Sequence, residues 1–239
     1  DITTQVLPQD AGQQRIQLAR RLAAEDTQID LRSLDPPFTA EFAAAGYLAD
    51  IPDDLEQKFS EQAFESAVTA GTWEDQLVVA PFWSNTQVLW YRKSFVEKAG
   101  LDMSQPVTWE QVIEAAAQND GTVAVQANKY EGYTVWINAL VTSAGGQIAT
   151  NTEEGNEAEI TIDSEAGQAA AEVIANLVDA GAAPADLSIA QEGQAAATFA
   201  TDQGAFMVNW TYILNGAGYT EDVVKDLGWA RYPRTVEGE

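Results

Sequence analysis

Aromatic side chains are the first candidates for chemistry in this sequence. Trp83, Trp136 and Trp210, three of its seven tryptophans, each lie at the boundary of a predicted element or beside small and polar residues. An indole ring exposed at such a position can stack on the apolar C–H face of a sugar, while the sugar hydroxyls need carboxylates or amides in fixed directions. Each tryptophan alone is more typical of a hydrophobic core, but the three together favour a binding site.

Two carboxylates could accept hydrogen bonds from such a ligand. Asp35 follows a predicted strand at 29–34, and the carboxyl ends of strands face the ligand crevice in open α/β sheets. The same side chain could instead cap the helix that begins at Pro36 or Pro37, and its position alone does not decide between the two roles. Glu192 falls in the first turn of a predicted helix at 189–201, where an acid is favoured by the helix dipole, and local sequence favours that structural role.

The residue types that are absent exclude most catalytic and metal sites. The 239 residues include no histidine and no cysteine. A Ser-His-Asp triad, a cysteine nucleophile, a Cys/His zinc or haem site and a disulfide are therefore ruled out. The sequence contains no phosphate-binding loop and no EF-hand pattern, and the acidic run at 151–157 is interpreted as a solvated loop, so we expect no metal and no cofactor. A glycoside hydrolase remains an alternative because it needs only two carboxylates, but among 37 acidic residues no pair stands out.

The charge limits the partners of the protein. Acidic residues outnumber basic ones by 37 to 12, which gives a formal net charge of -25. This balance argues against nucleic acid, an anionic membrane surface and an acidic substrate. No run of apolar residues reaches the roughly 18 that a membrane span needs. Residues 1–6 have neither the basic nor the apolar region of a secretory signal, so we expect any such signal to lie upstream.

Strand-like and helix-like segments alternate along the chain, which predicts an α/β fold. Thr108 and Gln111 form a capping-box pattern, Gly46 is placed to end a short helix that begins after Asp35, and Ser188 is a plausible N-cap. The helix capped by Ser164 is predicted to bury Ala166, Ala170, Val173, Ile174, Leu177 and Val178. The remaining predicted helices are 10–24, 52–70, 108–118 and 133–144, and the predicted strands are 2–7, 29–34, 77–82, 87–91, 122–126, 160–162, 205–209 and 227–232.

An ordered set of short motifs resembles the extracellular solute-binding proteins of ABC sugar importers, the group that includes maltose- and trehalose-binding proteins. Each motif alone is weak, but the set covers nearly the whole chain in the family's order. The sequence near Asp35 and at 84–86 is most similar to that of trehalose-binding lipoproteins. The segments that carry the resemblance are 29–35 with 38–48, 79–82 with 87–93, VTWE at 107–110, AGG at 144–146 and GAFMVNW at 204–210.

The resemblance implies a two-lobe, periplasmic-binding-protein-like fold (type II), in which each lobe is a mixed sheet flanked by helices. A sugar binds between the lobes, and lobe closure is read by the membrane-spanning permease subunits. By the same resemblance, Asp35 and Asn85 hydrogen-bond sugar hydroxyls from the first lobe. Trp210 stacks on a pyranose ring from the second lobe with Glu192 beside it, and Trp83 and Trp136 are further wall residues with less support.

Members of the family are longer at both ends, so the resemblance predicts an incomplete chain. Residues 1–90 would form an incomplete first lobe without its opening and returning strands, and 91–239 would form most of the second. Unpaired strand edges would allow a dimer or swapped assembly. The predicted location is the extracellular or periplasmic side of the membrane, with a lipid anchor, if any, on an upstream segment. The alternatives are the hydrolase, a same-fold receptor for another solute, and a fragment that binds nothing.

Overall fold

The chain forms two compact units, Asp1–Ser84 and Asn85–Glu239, in a computed structural model that describes residues 2–8 and 10–237. The whole of the predicted strand at 87–91 falls in the second unit. Asp35 and Trp83 belong to the first unit. Asn85, Trp136, Glu192 and Trp210 belong to the second.

The first unit is mainly helical. Asp10 caps its first helix, because its Oδ1 accepts a hydrogen bond from the Gln13 N–H at 2.8 Å, and the predicted helix at 10–24 is confirmed. The predicted helix at 52–70 breaks into two at Ala63 and Phe64. The elements of the unit are α1 (Ala11–Ala23), a 3-10 turn (Pro36–Phe38), α2 (Thr39–Ala44), α3 (Asp53–Gln62), α4 (Glu65–Ala70), and the hairpin of β1 (Thr72–Trp73) and β2 (Gln76–Leu77).

A single glycine, Gly46, ends the helix α2. Gly46 adopts a φ of 70°, and its N–H donates to the Ala43 carbonyl at 2.9 Å. The Tyr47 N–H donates to the Phe42 carbonyl at 2.9 Å, and the ring of Tyr47 packs edge-on against the buried ring of Phe42. These are the two hydrogen bonds and the apolar contact of a Schellman cap, so the predicted role of Gly46 is confirmed.

The mixed sheet predicted for the first unit is absent from residues 2–8 and 10–84. The segments 2–7 and 29–34 were predicted as strands, but they form no ladder with other described residues, and Ile2 and Leu31 are 97% and 93% exposed. Of the predicted strand at 77–82, only Leu77 lies in a strand, at the end of β2. Apolar and β-branched residues favour a strand only where a neighbouring strand pairs with its backbone and covers one face. The apolar pattern of the sequence therefore predicted more strands in this unit than are formed.

The second unit is built on a mixed four-stranded sheet. Its order is β4-β7-β3-β8, with β4 parallel to β7 and the other pairs antiparallel. The elements are β3 (Gln87–Arg92), α5 (Lys93–Ala99), α6 (Trp109–Gln118), β4 (Thr122–Ala124), α7 (Glu131–Ser143), β5 (Ala149–Thr150), a 3-10 segment (Thr152–Glu157), β6 (Glu159–Ile160), α8 (Glu165–Asp179), a 3-10 turn (Leu187–Ile189), α9 (Glu192–Phe199), β7 (Gly204–Trp210), α10 (Ile213–Gly216), α11 (Glu221–Asp226) and β8 (Leu227–Ala230).

Helices cover both faces of this sheet. On one face, Leu89 of β3 and Phe206 and Val208 of β7 pack in one core cluster with residues of α6, α7 and α8. On the other face, Trp90 and Met207 pack in a second cluster with residues of α9 and α10. The alternation of inward and outward residues along β3 and β7 produces this division. The predicted α/β class is confirmed for the unit.

Two helices differ from their predicted form. Ser188 lies in the 3-10 turn, and α9 begins only at Glu192 with Gln191 as its N-cap, so Ser188 does not cap it. Along α8, Ala170, Val173 and Leu177 are buried as predicted, but Val178 is 53% exposed because it lies to one side of the buried stripe. The α5 helix has no counterpart among the predicted elements.

The capping box of α6 should contribute measurably to stability. Thr108 Oγ1 accepts from the Gln111 N–H at 3.2 Å, and Gln111 Oε1 accepts from the Thr108 N–H at 2.9 Å. Because Thr108→Ala removes the acceptor of one of these bonds, we expect it to lower the free energy of unfolding by about 1 kcal/mol in urea denaturation. Thr108→Ser keeps a hydroxyl acceptor and serves as the control. Equal stability of the alanine and serine variants would contradict the capping role.

Candidate functional site

Several candidate residues meet at one end of the second-unit sheet. Because β4 and β7 are parallel, their carboxyl ends lie side by side. The antiparallel strand β3 begins at the same end, since Gln87 pairs with Trp210. Ligands of α/β proteins bind outside the carboxyl ends of such strands. The side chains at this end of the sheet form what we call the strand-end site: Asn85, Gln87, Gln126, Tyr130, Glu192, Asn209, Trp210 and Tyr212.

Trp210 is the last residue of β7 and is partly exposed. By alternation its side chain lies on the same sheet face as Phe206 and Val208, which pack toward α6, α7 and α8. Its N–H donates to Asn209 Oδ1 at 2.9 Å, which fixes the backbone at the point where the strand ends. A partly exposed indole at a strand end is one of the positions from which an aromatic ring can contact a ligand.

Glu192 is the first residue of α9 and is partly exposed. Its carbonyl accepts from Asn209 Nδ2 at 3.0 Å, so the start of α9 is tied to the end of β7. The Asn128 N–H donates to the Ala190 carbonyl at 3.0 Å and brings the loop before α7 to the segment before α9. Glu192 lies close enough to Tyr130 and to Tyr212 to shift the pKa of both phenols.

Two tyrosines respond to the charge of Glu192. Burial raises the pKa of Tyr130 well above its ordinary value, and the Glu192 carboxylate raises it further. Burial and the same carboxylate raise the pKa of Tyr212. The Tyr130 hydroxyl is buried and makes no well-formed hydrogen bond to a described residue, although Glu192 lies within electrostatic range. The charged groups that shift these phenols are acidic, Glu192 and Glu131, so this part of the site carries negative potential.

Neutralising Glu192 should lower the pKa of Tyr212. A nearby carboxylate disfavours the phenolate, so Glu192→Gln removes one of the two causes that raise this pKa. We expect the phenolate absorbance near 295 nm to appear at lower pH in the variant than in the wild type. Tyr212→Phe identifies the transition that belongs to Tyr212. Glu172→Gln on α8 is the charge control, and the same shift in that variant would contradict a local interaction.

Asn85 reaches the strand-end site through the residue after Trp210. Its Oδ1 accepts from Thr211 Oγ1 at 2.8 Å and from the Thr86 N–H at 3.1 Å. The Thr211 N–H in turn donates to the Thr86 carbonyl at 3.2 Å. The oxygen of Asn85 is therefore occupied, and the group that it could offer a ligand is its Nδ2 amide.

Two amides, the buried Gln126 and the partly buried Gln87, bond to each other at the strand-end site. Gln126, 1% exposed, donates from Nε2 to the Val208 carbonyl at 2.9 Å, and its Oε1 accepts from Gln87 Nε2 at 2.7 Å. The pair thus connects the start of β3 to the carboxyl ends of β4 and β7. The site residues predicted from the sequence do not include Gln87, Gln126, Tyr130 or Tyr212. The sequence offered one signal that these residues share: each lies at or beyond the end of β3, β4 or β7 that forms the site.

Trp136 lies in the core and not at the strand-end site. It is 1% exposed, and its ring centroid lies 5.8 Å from that of Trp109 and 6.1 Å from that of Tyr133. The expected wall role does not match this placement, because a ligand cannot reach a ring enclosed by other side chains. The helix α7 turns Trp136 toward the interior of the second unit, as the core interpretation of a tryptophan predicts.

The remaining candidates lie in the first unit. Asp35 is partly exposed, and its carboxylate makes no capping hydrogen bond to the 3-10 turn that follows it. Trp83 is 66% exposed. An open groove of about 610 Å³ in this unit contains neither residue, being lined by Pro8, Gln13, Ile16, Gln17, Arg20, Arg21 and Asp26.

Two kinds of feature are absent from residues 2–8 and 10–237. Side chains there form no group of three or more metal-ligating acids. Their helices include none with the length and apolar character that crossing a bilayer requires.

Solved structures with the same fold are two-lobe periplasmic binding proteins. The chain superposes on maltose-bound MalE3 of T. maritima with a TM-score of 0.83 at 24% identity, over 95% of this chain and 58% of that chain. A solute-binding protein of Thermotoga lettingae bound with α-D-tagatose gives a TM-score of 0.78 at 21% identity, over 92% of this chain and 57% of that one. These likenesses confirm the predicted periplasmic-binding-protein class of fold.

A family model described as bacterial extracellular solute-binding protein matches residues 1–238, so the chain belongs to that family. A curated relative, a "probable ABC transporter-binding protein" of Deinococcus radiodurans, is 23% identical over 249 residues, which cover 98% of this chain and 56% of the relative. The chain therefore spans little more than half the length of the proteins that it resembles.

Proposed function

We propose that the protein is the substrate-binding component of an ABC importer and binds a neutral sugar, a disaccharide such as trehalose or maltose, without catalysing a reaction. The observation that carries the proposal is the convergence of Trp210, Glu192, Tyr130 and Tyr212 at one sheet end. An aromatic face beside a carboxylate and phenol hydroxyls is what a sugar needs, since it offers both C–H faces and hydroxyls. Family membership supports the transport role, and the maltose in the T. maritima structure supports the ligand class.

The proposal also covers the partners and the location of the protein. Membrane-spanning permease subunits are its partners, and it acts on the extracellular or periplasmic side of the membrane. Asp35, Trp83 and the Nδ2 amide of Asn85 remain predicted contributors to sugar binding. Trp136 is left out because it is buried in the core.

The charge around the strand-end site favours this proposal over an anion receptor. The side chains that shift the pKa of Tyr130 and Tyr212 are acidic, and a negatively charged ligand would be repelled by them. Anion sites usually present arginine or helix N-termini, and the N-terminus of α9 here begins with an acid.

A thermal-shift screen of this chain tests the proposal. The panel contains trehalose, maltose and glucose as sugars, and glutamate and sulfate as anionic controls of the same ionic strength. A ligand at 100 times its dissociation constant should stabilise the folded state by about 2.7 kcal/mol. We expect a raised melting temperature with at least one sugar and none with the anions. Stabilisation by anions alone, or release of glucose from either disaccharide, would defeat the proposal.

A further inference from the structure

Asn209 is a fully buried amide between two residues of the strand-end site. It is 0% exposed and lies one residue before Trp210 in β7. Its Oδ1 accepts from the Trp210 N–H at 2.9 Å, and its Nδ2 donates to the Glu192 carbonyl at 3.0 Å. One side chain therefore bonds to the backbones of both Trp210 and Glu192.

The amide itself is held in a fixed place. Asn209 Nδ2 also lies 3.4 Å from the Met207 sulfur, and the Asn209 carbonyl accepts from Trp90 Nε1 at 3.2 Å. Trp90 and Met207 belong to the core cluster that packs against α9. A buried amide whose donor and acceptor are both satisfied has little freedom to move, because breaking either bond would leave a buried polar group without a partner.

We propose that Asn209 is a positioning residue that sets the start of α9, and with it Glu192, at a fixed place relative to the end of β7, where Trp210 lies. This inference rests on the proposed function of the strand-end site. A sugar stacked on Trp210 would present its hydroxyls in fixed directions, so a carboxylate at the same end of the sheet selects among them only if its own position is fixed. Asn209 supplies that relation, since it is bonded to the backbone of both residues.

Two substitutions separate the two bonds. At pH 8, Asn209→Asp keeps an oxygen that accepts from the Trp210 N–H but cannot donate to the Glu192 carbonyl, and two acceptors then face each other. The start of α9 should shift while the end of β7 stays in place. Asn209→Ala removes both bonds. The inference therefore predicts that both variants bind sugar more weakly than the wild type.

A double-mutant cycle on this chain is the test, with calorimetry on the sugar that gives the largest thermal shift. We expect Asn209→Asp to weaken binding about tenfold. Glu192→Gln should weaken binding in the wild type but add little in the Asn209→Asp background, because Glu192 is already displaced. Trp210→Ala should keep its full effect in that background. Wild-type affinity in Asn209→Asp, or full additivity with Glu192→Gln, would overturn the inference.

A stability control separates positioning from general destabilisation. Leu177→Ala removes a fully buried side chain from α8, away from the strand-end site, and lowers the melting temperature without touching Asn209. Binding by this variant should match the wild type at temperatures well below its transition. An equal loss of affinity in Leu177→Ala would show that Asn209 acts only through stability.

Hydrogen exchange gives a readout that needs no ligand. The Trp210 N–H should stay protected in Asn209→Asp and lose protection in Asn209→Ala. The Ala195 N–H, which donates to the Gln191 carbonyl at 2.9 Å in the first turn of α9, should exchange faster in both variants. If the wild type binds no sugar on the panel, the proposed function fails while this measurement still decides the positioning role. Unchanged protection of Ala195 would overturn it.

Discussion

Replacing Trp210 with alanine should weaken sugar binding by about tenfold or more, which corresponds to about 1.4 kcal/mol. The indole is partly exposed at the last position of β7, so truncation removes ligand contact without opening a cavity in the core. An aromatic ring that stacks on a ligand contributes buried area at little cost in conformational entropy. The loss should appear in calorimetry as a raised dissociation constant with an unchanged melting temperature of the free protein.

The chain provides a matched control in Trp229. It lies on the edge strand β8 of the same sheet, is 66% exposed, and packs edge-on against Trp90 with ring centroids 6.5 Å apart. It is remote from the site end of the sheet in register, since Trp229 pairs with Trp90 and not with Gln87. We expect Trp229→Ala to bind sugar like the wild type. Unchanged affinity in Trp210→Ala, or equal losses in both variants, would remove Trp210 from the site.

The parts of the fold that sequence predicted well have local causes. Asp10, Thr108 and Ser164 each accept a hydrogen bond from a backbone N–H of the helix they precede, and Gly46 ends its helix with a left-handed residue. Caps act within a few residues, so the pattern contains the whole interaction. The segment 205–209 also formed the expected central strand, because its apolar side chains are covered on both faces.

The predictions that were wrong or missing depend on interactions outside the local segment. The apolar pattern at 2–7 and 29–34 indicates strands, but a strand exists only where another one pairs with it. Asn209 illustrates the same limit for the candidate site. Sequence shows only a polar residue before Trp210, while its role depends on Glu192, which is distant along the chain and close in space. Tertiary partners of this kind cannot be inferred from spacing in a single sequence.

Trp136→Ala should be the most destabilising of these substitutions. The side chain is 1% exposed and lies in the cluster of α6, α7, α8 and the sheet, with its ring 5.8 Å from that of Trp109. Replacing a buried tryptophan with alanine typically lowers the free energy of unfolding by about 3–5 kcal/mol. Because a domain's whole stability is about 5–15 kcal/mol, the second unit should lose a large part of it. Urea denaturation followed by near-ultraviolet circular dichroism measures the loss.

Two further variants decide between a core residue and a ligand wall. Trp136→Phe keeps most of the buried area and removes an indole N–H that has no hydrogen-bond partner among the described residues, so it should cost far less than alanine. Trp83→Ala, at a residue that is 66% exposed, should leave stability nearly unchanged. If Trp136→Ala were as stable as the wild type but bound sugar more weakly, the ring would line a binding surface. That result would contradict the assignment of Trp136 to the core. We expect the opposite, because an enclosed ring contributes through packing and never meets the ligand.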